Sequence, residues 1–312
     1  MNRLPAQVLI KSSRSEERSL IMKNPVIAAS GTFGFGREYA EYMDLKALGG
    51  LAVKGLTPEQ REGNPVPRIV ETPSGMLNSI GLQNPGIGGF ILKEMPFLRE
   101  QETAVIANIS GNTIEDYENM ALRLDSVEGL HAIEVNVSCP NIHRGGEVFG
   151  TSSEMVRQIT QVVREATSLP IIVKLSPNVT DVASIARQAE SAGADAVSLI
   201  NTILGMAVDI KTQKPVIKNI FGGLSGPAVK PIALRQVWQV YEAVSIPIIG
   251  MGGIMNANDA IEFLLAGATA VSVGTANFVD PTACIKIING IAHYQSINGF
   301  SHVSELTGLG HR

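Results

Sequence analysis

The chain has 312 residues, of which 45% are hydrophobic and 17% charged, so it can bury a large core and has no disordered character. Its formal net charge is −4 and it lacks a basic run, which argues against a nucleic-acid partner. The two cysteines are far apart and too few for an iron–sulfur cluster, and the five histidines lack zinc-site spacing. No apolar run approaches the length of a membrane span. We therefore expect a cytoplasmic protein with no metal site.

Eight short apolar or β-branched runs recur along the chain, and a segment with helical periodicity follows most of them. The runs are Pro25–Ala29, Leu51–Lys54, Ala104–Ile109, Ala132–Val137, Ile171–Leu175, Ala196–Ile200, Ile246–Met251 and Ala270–Val273. Several are continuous rather than alternating, which is typical of parallel strands buried on both faces. The pattern predicts an α/β fold, a closed (β/α)₈ TIM barrel. Because no linker or compositional break interrupts it, we expect a single domain over residues 1–312.

The rival fold is an open, doubly wound sheet. Such a sheet would carry a G-x-G-x-x-G fingerprint after its first strand, and Gly31–Gly36 has the wrong spacing. Two connections, 55–103 and 202–245, are long enough to suggest functional loops. The mixed-charge segment Lys11–Arg18 is interpreted as exposed surface.

Local signals also predict helix ends. Thr151–Glu154 has the spacing of a capping box, and Asn256 precedes another apolar helical pattern as a candidate N-cap. Gly193 and Gly267 occupy positions typical of helix C-termini.

Every predicted strand ends in a polar residue or a glycine. These residues are Ser30, Lys54, Asn108, Asn136 with Ser138 and Cys139, Lys174, Asn201 with Thr202, Gly252 with Gly253, and Gly274 with Thr275. A barrel enzyme has its active site at the carboxyl ends of its strands, so the whole set indicates a ligand site. The glycines after the last two strands leave backbone N–H groups open to a phosphate, although they could also serve only to close tight turns.

Lys54 and Lys174 each lie within an apolar run. Such a lysine could face an anion or an electron-rich ring, form a Schiff base, or take part in a structural ion pair. Cys139 lies in the polar segment Asn136–Asn141, before the glycine-rich Gly145–Gly150 that could close over a ligand. Cys284, on an apolar helix, is interpreted as a core residue.

These segments resemble the class 1 dihydroorotate dehydrogenases over roughly residues 24 to 290. The matching segments are Asn24–Gly31 with Phe33–Gly36, Gly75–Pro85, Asn136–Asn141 with Gly145–Thr151, Val173–Pro177, Gly222–Pro227 and Gly250–Gly253. The resemblance implies oxidation of dihydroorotate to orotate in pyrimidine biosynthesis, with FMN as the hydride acceptor. It also implies that Cys139 is the catalytic base that takes the proton from C5.

The resemblance further implies two sets of ligand-binding residues. The flavin set is Ser30, Lys54, Gly55, Asn108, Asn136, Lys174, Ile200, Gly226, Gly252, Gly253, Gly274 and Thr275. The substrate set is Lys54, Asn78, Ser79, Ile80, Gly81, Leu82, Asn136, Asn201 and Thr202. Asparagine amides can pair with the donors and acceptors of a pyrimidine, and Lys174 can stabilise negative charge on a reduced flavin.

Ser225–Pro227 and His143–Gly146 resemble the NAD-linked type, class 1B. That type implies a partner subunit carrying FAD and an iron–sulfur cluster, in a heterotetramer of two copies of each chain around a homodimer core. The alternatives are a fumarate-reducing homodimer and, from other classes, a flavin-free phosphate-binding lyase or aldolase-type barrel, a flavin-dependent tRNA reductase, or a non-catalytic binding subunit. Cys139 argues against the quinone-reducing type, which uses a serine base.

Overall fold

The computed structural model describes residues 6–138 and 149–312, and those residues form sixteen strands and nine α-helices. The strands are β1 (Val8–Ile10), β2 (Leu20–Met22), β3 (Val26–Ala28), β4 (Gly50–Ala52), β5 (Ile69–Thr72), β6 (Gly75–Asn78), β7 (Ala104–Ile109), β8 (Ala132–Asn136), β9 (Ile171–Lys174), β10 (Ala196–Leu199), β11 (Ile203–Met206), β12 (Val208–Asp209), β13 (Lys214–Pro215), β14 (Phe221–Ser225), β15 (Ile248–Met251) and β16 (Ala270–Val273). The helices are α1 (Gly86–Gly89), α2 (Met95–Arg99), α3 (Ile114–Asp125), α4 (Ser153–Ala166), α5 (Val182–Ser191), α6 (Lys230–Tyr241), α7 (Ala257–Leu265), α8 (Ala276–Val279) and α9 (Ala283–Asn298), with a π-helical turn at Phe90–Glu94 between α1 and α2.

Eight of these strands close into a parallel barrel. Their order is β3-β4-β7-β8-β9-β10-β15-β16, and β16 pairs with β3 to complete the ring. The predicted (β/α)₈ barrel is therefore confirmed, and the predicted strands agree with the observed ones to within two residues at each end. Every residue of β7, β9 and β10 is buried, which explains why their sequences are continuous rather than alternating.

Three of the four predicted helix ends are confirmed. Asn256 caps α7 in a reciprocal capping box with Asp259, and the C-terminal glycines Gly193 and Gly267 have φ values of 96° and 118°. The capping box at Thr151 is wrong. Ser152 is the N-cap of α4 and accepts from the backbone N–H of Met155, because Thr151 already belongs to a 3₁₀ turn.

The hairpin of β1 and β2 lies at the amino-terminal end of the barrel. The predicted surface segment Lys11–Arg18 joins the two strands and is largely exposed, but it is anchored at several points. The backbone N–H of Ser13 donates to Asp195 Oδ1 at 2.6 Å, and Arg18 pairs with Asp125 at 2.8 Å. The segment thus fastens the hairpin to the end of the barrel opposite the polar strand ends.

The two long connections meet in one antiparallel sheet of order β11-β14-β6-β5. Strand β14 pairs with both β6 and β11, so residues from 55–103 and from 202–245 are hydrogen-bonded to each other. Glycines permit this close contact: a Cβ on Gly75 would lie 2.0 Å from Ser225 O, and one on Gly223 would lie 2.0 Å from Thr202 Oγ1. The sheet lines the cavity at the carboxyl ends of the barrel strands. Within the described ranges, no helix is long and apolar enough to cross a membrane.

Candidate functional site

A cavity of about 810 Å³ lies between the carboxyl ends of the barrel strands and the four-stranded sheet. This volume is within the range of small-molecule and cofactor sites. All described residues of the two predicted sets line it: Ser30, Lys54, Gly55, Asn78, Ser79, Ile80, Gly81, Leu82, Asn108, Asn136, Lys174, Ile200, Asn201, Thr202, Gly226, Gly252, Gly253, Gly274 and Thr275. Cys139 lies outside the described residues.

Three glycines form one wall of the cavity, and their backbone conformations are ones that residues with side chains rarely adopt. Gly226, Gly252 and Gly253 have φ values of 95°, 124° and 74°. A Cβ on Gly253 would lie 2.8 Å from Gly226 O and 2.9 Å from the backbone N of Lys230, at the start of α6. The backbone here is therefore not covered by side chains, and it lies beside a helix N-terminus. This arrangement suits an anion. Gly274 differs, because a Cβ there would meet nothing closer than 3.7 Å.

Two hydroxyls lie at the same end of the cavity. Thr275 Oγ1 donates to Ser225 Oγ at 2.8 Å, and both residues line the cavity. Ser225 was missed as a site residue by sequence reasoning. Its position directly before Gly226 in a recognised motif was the available signal.

Lys174 reaches the cavity from the barrel interior, where a carboxylate holds it. Its Nζ is 3.6 Å from Glu134 Oε2, and both side chains are more than 90% buried. The same oxygen accepts from Asn108 Nδ2 at 2.6 Å, and Glu134 Oε1 accepts from Ser198 Oγ at 2.8 Å. An ammonium paired in this way is a poor nucleophile, which weighs against the Schiff-base interpretation of Lys174.

Glu134 was also missed by sequence reasoning. The signal was present, since it is an acid between the apolar residues Ile133 and Val135 of strand β8 and is only 4% exposed. An acid so deeply buried needs partners, and those partners are distant in sequence.

Lys54 and Gly55 follow β4, the barrel neighbour of the strand β7 that carries Asn108. The backbone N–H of Lys54 donates to Gly34 O at 2.9 Å, and a Cβ on Gly31 would lie 3.7 Å from its Nζ. A Cβ on Gly55 would come within 2.9 Å of Asn108 Oδ1. Glycine at position 55 therefore leaves room for the Asn108 amide.

Three asparagine amides of the cavity lining are held by hydrogen bonds, two of them to each other. Asn136 Oδ1 accepts from Asn201 Nδ2 at 3.3 Å and from the backbone N–H of Ser138 at 3.1 Å, while Asn78 Nδ2 donates to Gly223 O at 3.3 Å. The hydroxyl of buried Tyr117 donates to Asn136 O at 2.9 Å and fixes the strand end from behind. These contacts hold the amides in place for a flat polar ligand with alternating donors and acceptors.

The loop at residues 79–82 carries backbone strain. Leu82 has a φ of 54°, which costs a non-glycine residue about 1–3 kcal/mol. Asn84 stabilises this shape, since its Nδ2 donates to Leu82 O at 2.6 Å and its Oδ1 accepts from the backbone N–H of Gly86 at 2.8 Å. The Ser79 hydroxyl is buried without a hydrogen-bond partner among the described atoms. Strain of this kind is typical of ligand-binding loops.

The described residues on either side of positions 139–148 lie beside the cavity. Ser138 and Thr151 both line it, and a Cβ on Gly150 would lie 2.8 Å from Val137 O. Cys139 is the residue that follows Ser138. Several predicted residues lie outside the described ones, as Cys139 does: Pro140, Asn141, His143, Gly145 and Gly146.

Cys284 is a core residue, as predicted. Its side chain is fully buried on α9, its Sγ donates to Asn277 Oδ1 at 3.3 Å, and burial raises its pKa to about 12. The described residues contain no group of three or more His, Cys, Asp or Glu side chains that could hold a metal ion.

We expect Cys284 to resist alkylation in the folded protein. With a pKa of about 12, its thiolate fraction at pH 8 is about one in 10,000, and the buried Sγ is also shielded from reagent. Iodoacetamide at pH 8, followed by peptide mass spectrometry, should label Cys284 only after denaturation. Labelling of native Cys284 at the rate of a small-molecule thiol would contradict the assignment.

Comparison with known proteins identifies the family. The model of the family described as dihydroorotate dehydrogenase matches residues 17–294. The chain belongs to the dihydroorotate dehydrogenase family. The resemblance predicted from the motifs is confirmed, and the match covers the described barrel strands.

The relatives also bear on the type within the family. A protein of Desulforamulus reducens is 62% identical over 275 residues, which cover 88% of this chain and 90% of the relative. Proteins of Thermoanaerobacter pseudethanolicus and of a Geobacter species are 58% and 56% identical, over 89% and 88% of this chain and 92% and 90% of their own lengths. All three are named dihydroorotate dehydrogenase B (NAD(+)), catalytic subunit. The predicted class 1B membership is therefore confirmed.

Proposed function

We propose that this chain is the catalytic subunit of an NAD-linked dihydroorotate dehydrogenase and that it oxidises dihydroorotate to orotate in pyrimidine biosynthesis. The observation that carries the proposal is the cavity, which is lined by every described residue that the family resemblance assigns to flavin or substrate. Relatives of this name, one of them 62% identical to the chain, support it.

The cavity's donors fit FMN. The bare backbone of Gly226, Gly252 and Gly253 beside the start of α6 suits the phosphate. Lys174 and Asn108 suit the polar edge of a flavin ring, because the ammonium of one and the amide of the other line the cavity. The proposed flavin residues are Ser30, Lys54, Gly55, Asn108, Asn136, Lys174, Ile200, Gly226, Gly252, Gly253, Gly274 and Thr275.

When bound, FMN supplies the acceptor for the hydride that leaves C6 of dihydroorotate. The chain's own part is to bind, orient and deprotonate the substrate. Cys139 takes the C5 proton, and the C5–H and C6–H bonds give way to the C5=C6 double bond of orotate. Asn136, Asn201 and the strained loop that begins after Asn78 orient the pyrimidine. The sheet of β5, β6, β11 and β14 limits access of water.

The proposed substrate residues are Lys54, Asn78, Ser79, Ile80, Gly81, Leu82, Asn136, Asn201 and Thr202. Electrons pass to NAD through a partner subunit carrying FAD and an iron–sulfur cluster, in a heterotetramer built on a homodimer of this chain. We further propose that residues 1–312 form a single FMN-binding domain. The cytoplasmic location stays a prediction.

An absorbance spectrum of the purified chain tests the proposal. We expect bound flavin that is released on denaturation as FMN, and that is bleached by dihydroorotate under anaerobic conditions. Gly253→Ala should lose FMN, because its Cβ would collide with Gly226 O and the backbone of Lys230.

Gly299→Ala is the matched control. Gly299 has a φ of 73°, almost the same as Gly253, but a Cβ there would meet nothing within 4 Å. Both variants therefore carry a similar backbone cost of about 1 kcal/mol, and only one alters the cavity. A colourless wild-type protein, or equal loss of FMN from both variants, would contradict the proposed flavin site.

A further inference from the structure

One carboxylate joins four neighbouring strands beneath the cavity. Glu134 on β8 binds Asn108 on β7 at 2.6 Å, Lys174 on β9 at 3.6 Å and Ser198 on β10 at 2.8 Å. Asn108 and Glu134 are also register partners across β7 and β8, so their side chains leave the barrel wall at the same level. The carboxylate is thus shared by groups brought together only by closure of the barrel.

A contribution to folding stability does not by itself explain why this acid is buried. Glu134 is 4% exposed and Lys174 is 7% exposed. Buried ion pairs are often no more stabilising than apolar residues of the same volume, because desolvation of both charges is costly. An apolar side chain at position 134 could fill the barrel, but it could not orient an ammonium and an amide at once.

Two of the three partners of Glu134 line the cavity, and Glu134 itself does not. Asn108 donates through Nδ2 to the carboxylate, which fixes the amide plane and directs Oδ1 away, towards Gly55. Lys174 is drawn to the same carboxylate oxygen. The carboxylate therefore sets the direction of two groups that belong to the proposed flavin site.

We propose that Glu134 is a positioning residue for the flavin: through its single carboxylate it holds the Asn108 amide and the Lys174 ammonium in the orientations that bind FMN and support its reduction. The inference rests on the proposed function. It assigns no contact between Glu134 and either ligand.

A second buried ion pair supplies the control. Asp195 accepts from Arg164 at 2.8 Å and from the backbone N–H groups of Ser13 and Ile171 at 2.6 and 2.8 Å. This cluster lies at the amino-terminal end of the barrel, away from the cavity. Asp195→Asn therefore removes a buried negative charge as Glu134→Gln does, without touching the flavin site.

The experiment compares Glu134→Gln with Asp195→Asn in the purified holoprotein. Glutamine offers one acceptor oxygen where glutamate offers two, and it cannot form an ion pair with the Lys174 ammonium. We expect Glu134→Gln to weaken FMN binding about tenfold or more, measured by the fluorescence of released flavin, and to alter the bound-flavin absorbance spectrum. Reduction at saturating dihydroorotate should slow by about tenfold or more, with KM changed far less.

Asp195→Asn should lower the melting temperature while leaving FMN affinity and the reduction rate within about twofold of wild type. If Glu134→Gln behaves like Asp195→Asn, Glu134 is merely structural and the proposal is overturned.

Should Glu134→Gln fail to fold, Glu134→Asp takes its place, because it keeps the charge but withdraws the carboxylate by one methylene. Weaker FMN binding and slower reduction would support the proposal, and unchanged values would overturn it. A wild-type chain without FMN would instead defeat the proposed function, so the two failures are distinguishable.

Discussion

Replacing Cys139 with serine should leave FMN bound and slow its reduction by dihydroorotate by about 100- to 10,000-fold near neutral pH. A free thiol has a pKa of roughly 8.5, whereas a serine hydroxyl is far more reluctant to ionise and supplies almost no base at that pH. Activity of the variant should therefore rise as the pH increases towards 10. Anaerobic stopped-flow measurement of flavin bleaching from pH 6 to 10 gives the rate constants.

The matched control is Cys284→Ser. It removes the only cysteine within the described residues, one that is fully buried and bonded to Asn277. The control should reduce its flavin at close to the wild-type rate, whatever it loses in thermal stability. Wild-type reduction in Cys139→Ser at pH 7 would show that another group takes the C5 proton.

The isolated chain should reduce artificial dyes with dihydroorotate but form almost no NADH. It lacks a G-x-G-x-x-G dinucleotide fingerprint, and its two distant cysteines cannot supply the roughly four ligands of an iron–sulfur cluster. Electrons therefore need another polypeptide to reach NAD. We would measure the rate of NADH formation by absorbance, first with the single chain and then after co-expression with the partner subunit.

Dye reduction by the same preparation is the control, because it shows that the FMN half-reaction is intact. NADH formation should appear only with the partner. Rapid NADH formation by the single chain would refute the need for a partner, and efficient fumarate reduction by a homodimer would assign the chain to the other type.

The barrel and the composition of its site were determined by local sequence. In a closed parallel barrel each strand is buried on both faces, so the apolar residues of a strand such as Ile171–Lys174 follow one another without alternation. The ends of such strands can therefore be predicted from the sequence. The carboxyl ends of all eight strands must then meet at one edge, so the polar residues after them could be grouped without knowing any contact. Asn256 and Gly267 were predicted for the same reason, since caps depend on a few adjacent residues.

Only the tertiary structure decided which distant residues touch. The pairing of β14 with β6 joins two connections that were separately read as long loops, and no local pattern specifies that contact. The shift of the α4 cap to Ser152 depends on the preceding 3₁₀ turn. The role of Glu134 depends on barrel closure, which brings Asn108, Lys174 and Ser198 around it. Its hydrogen bonds join residues 26 to 64 positions apart, and contacts at such separations produce no periodic pattern in the sequence.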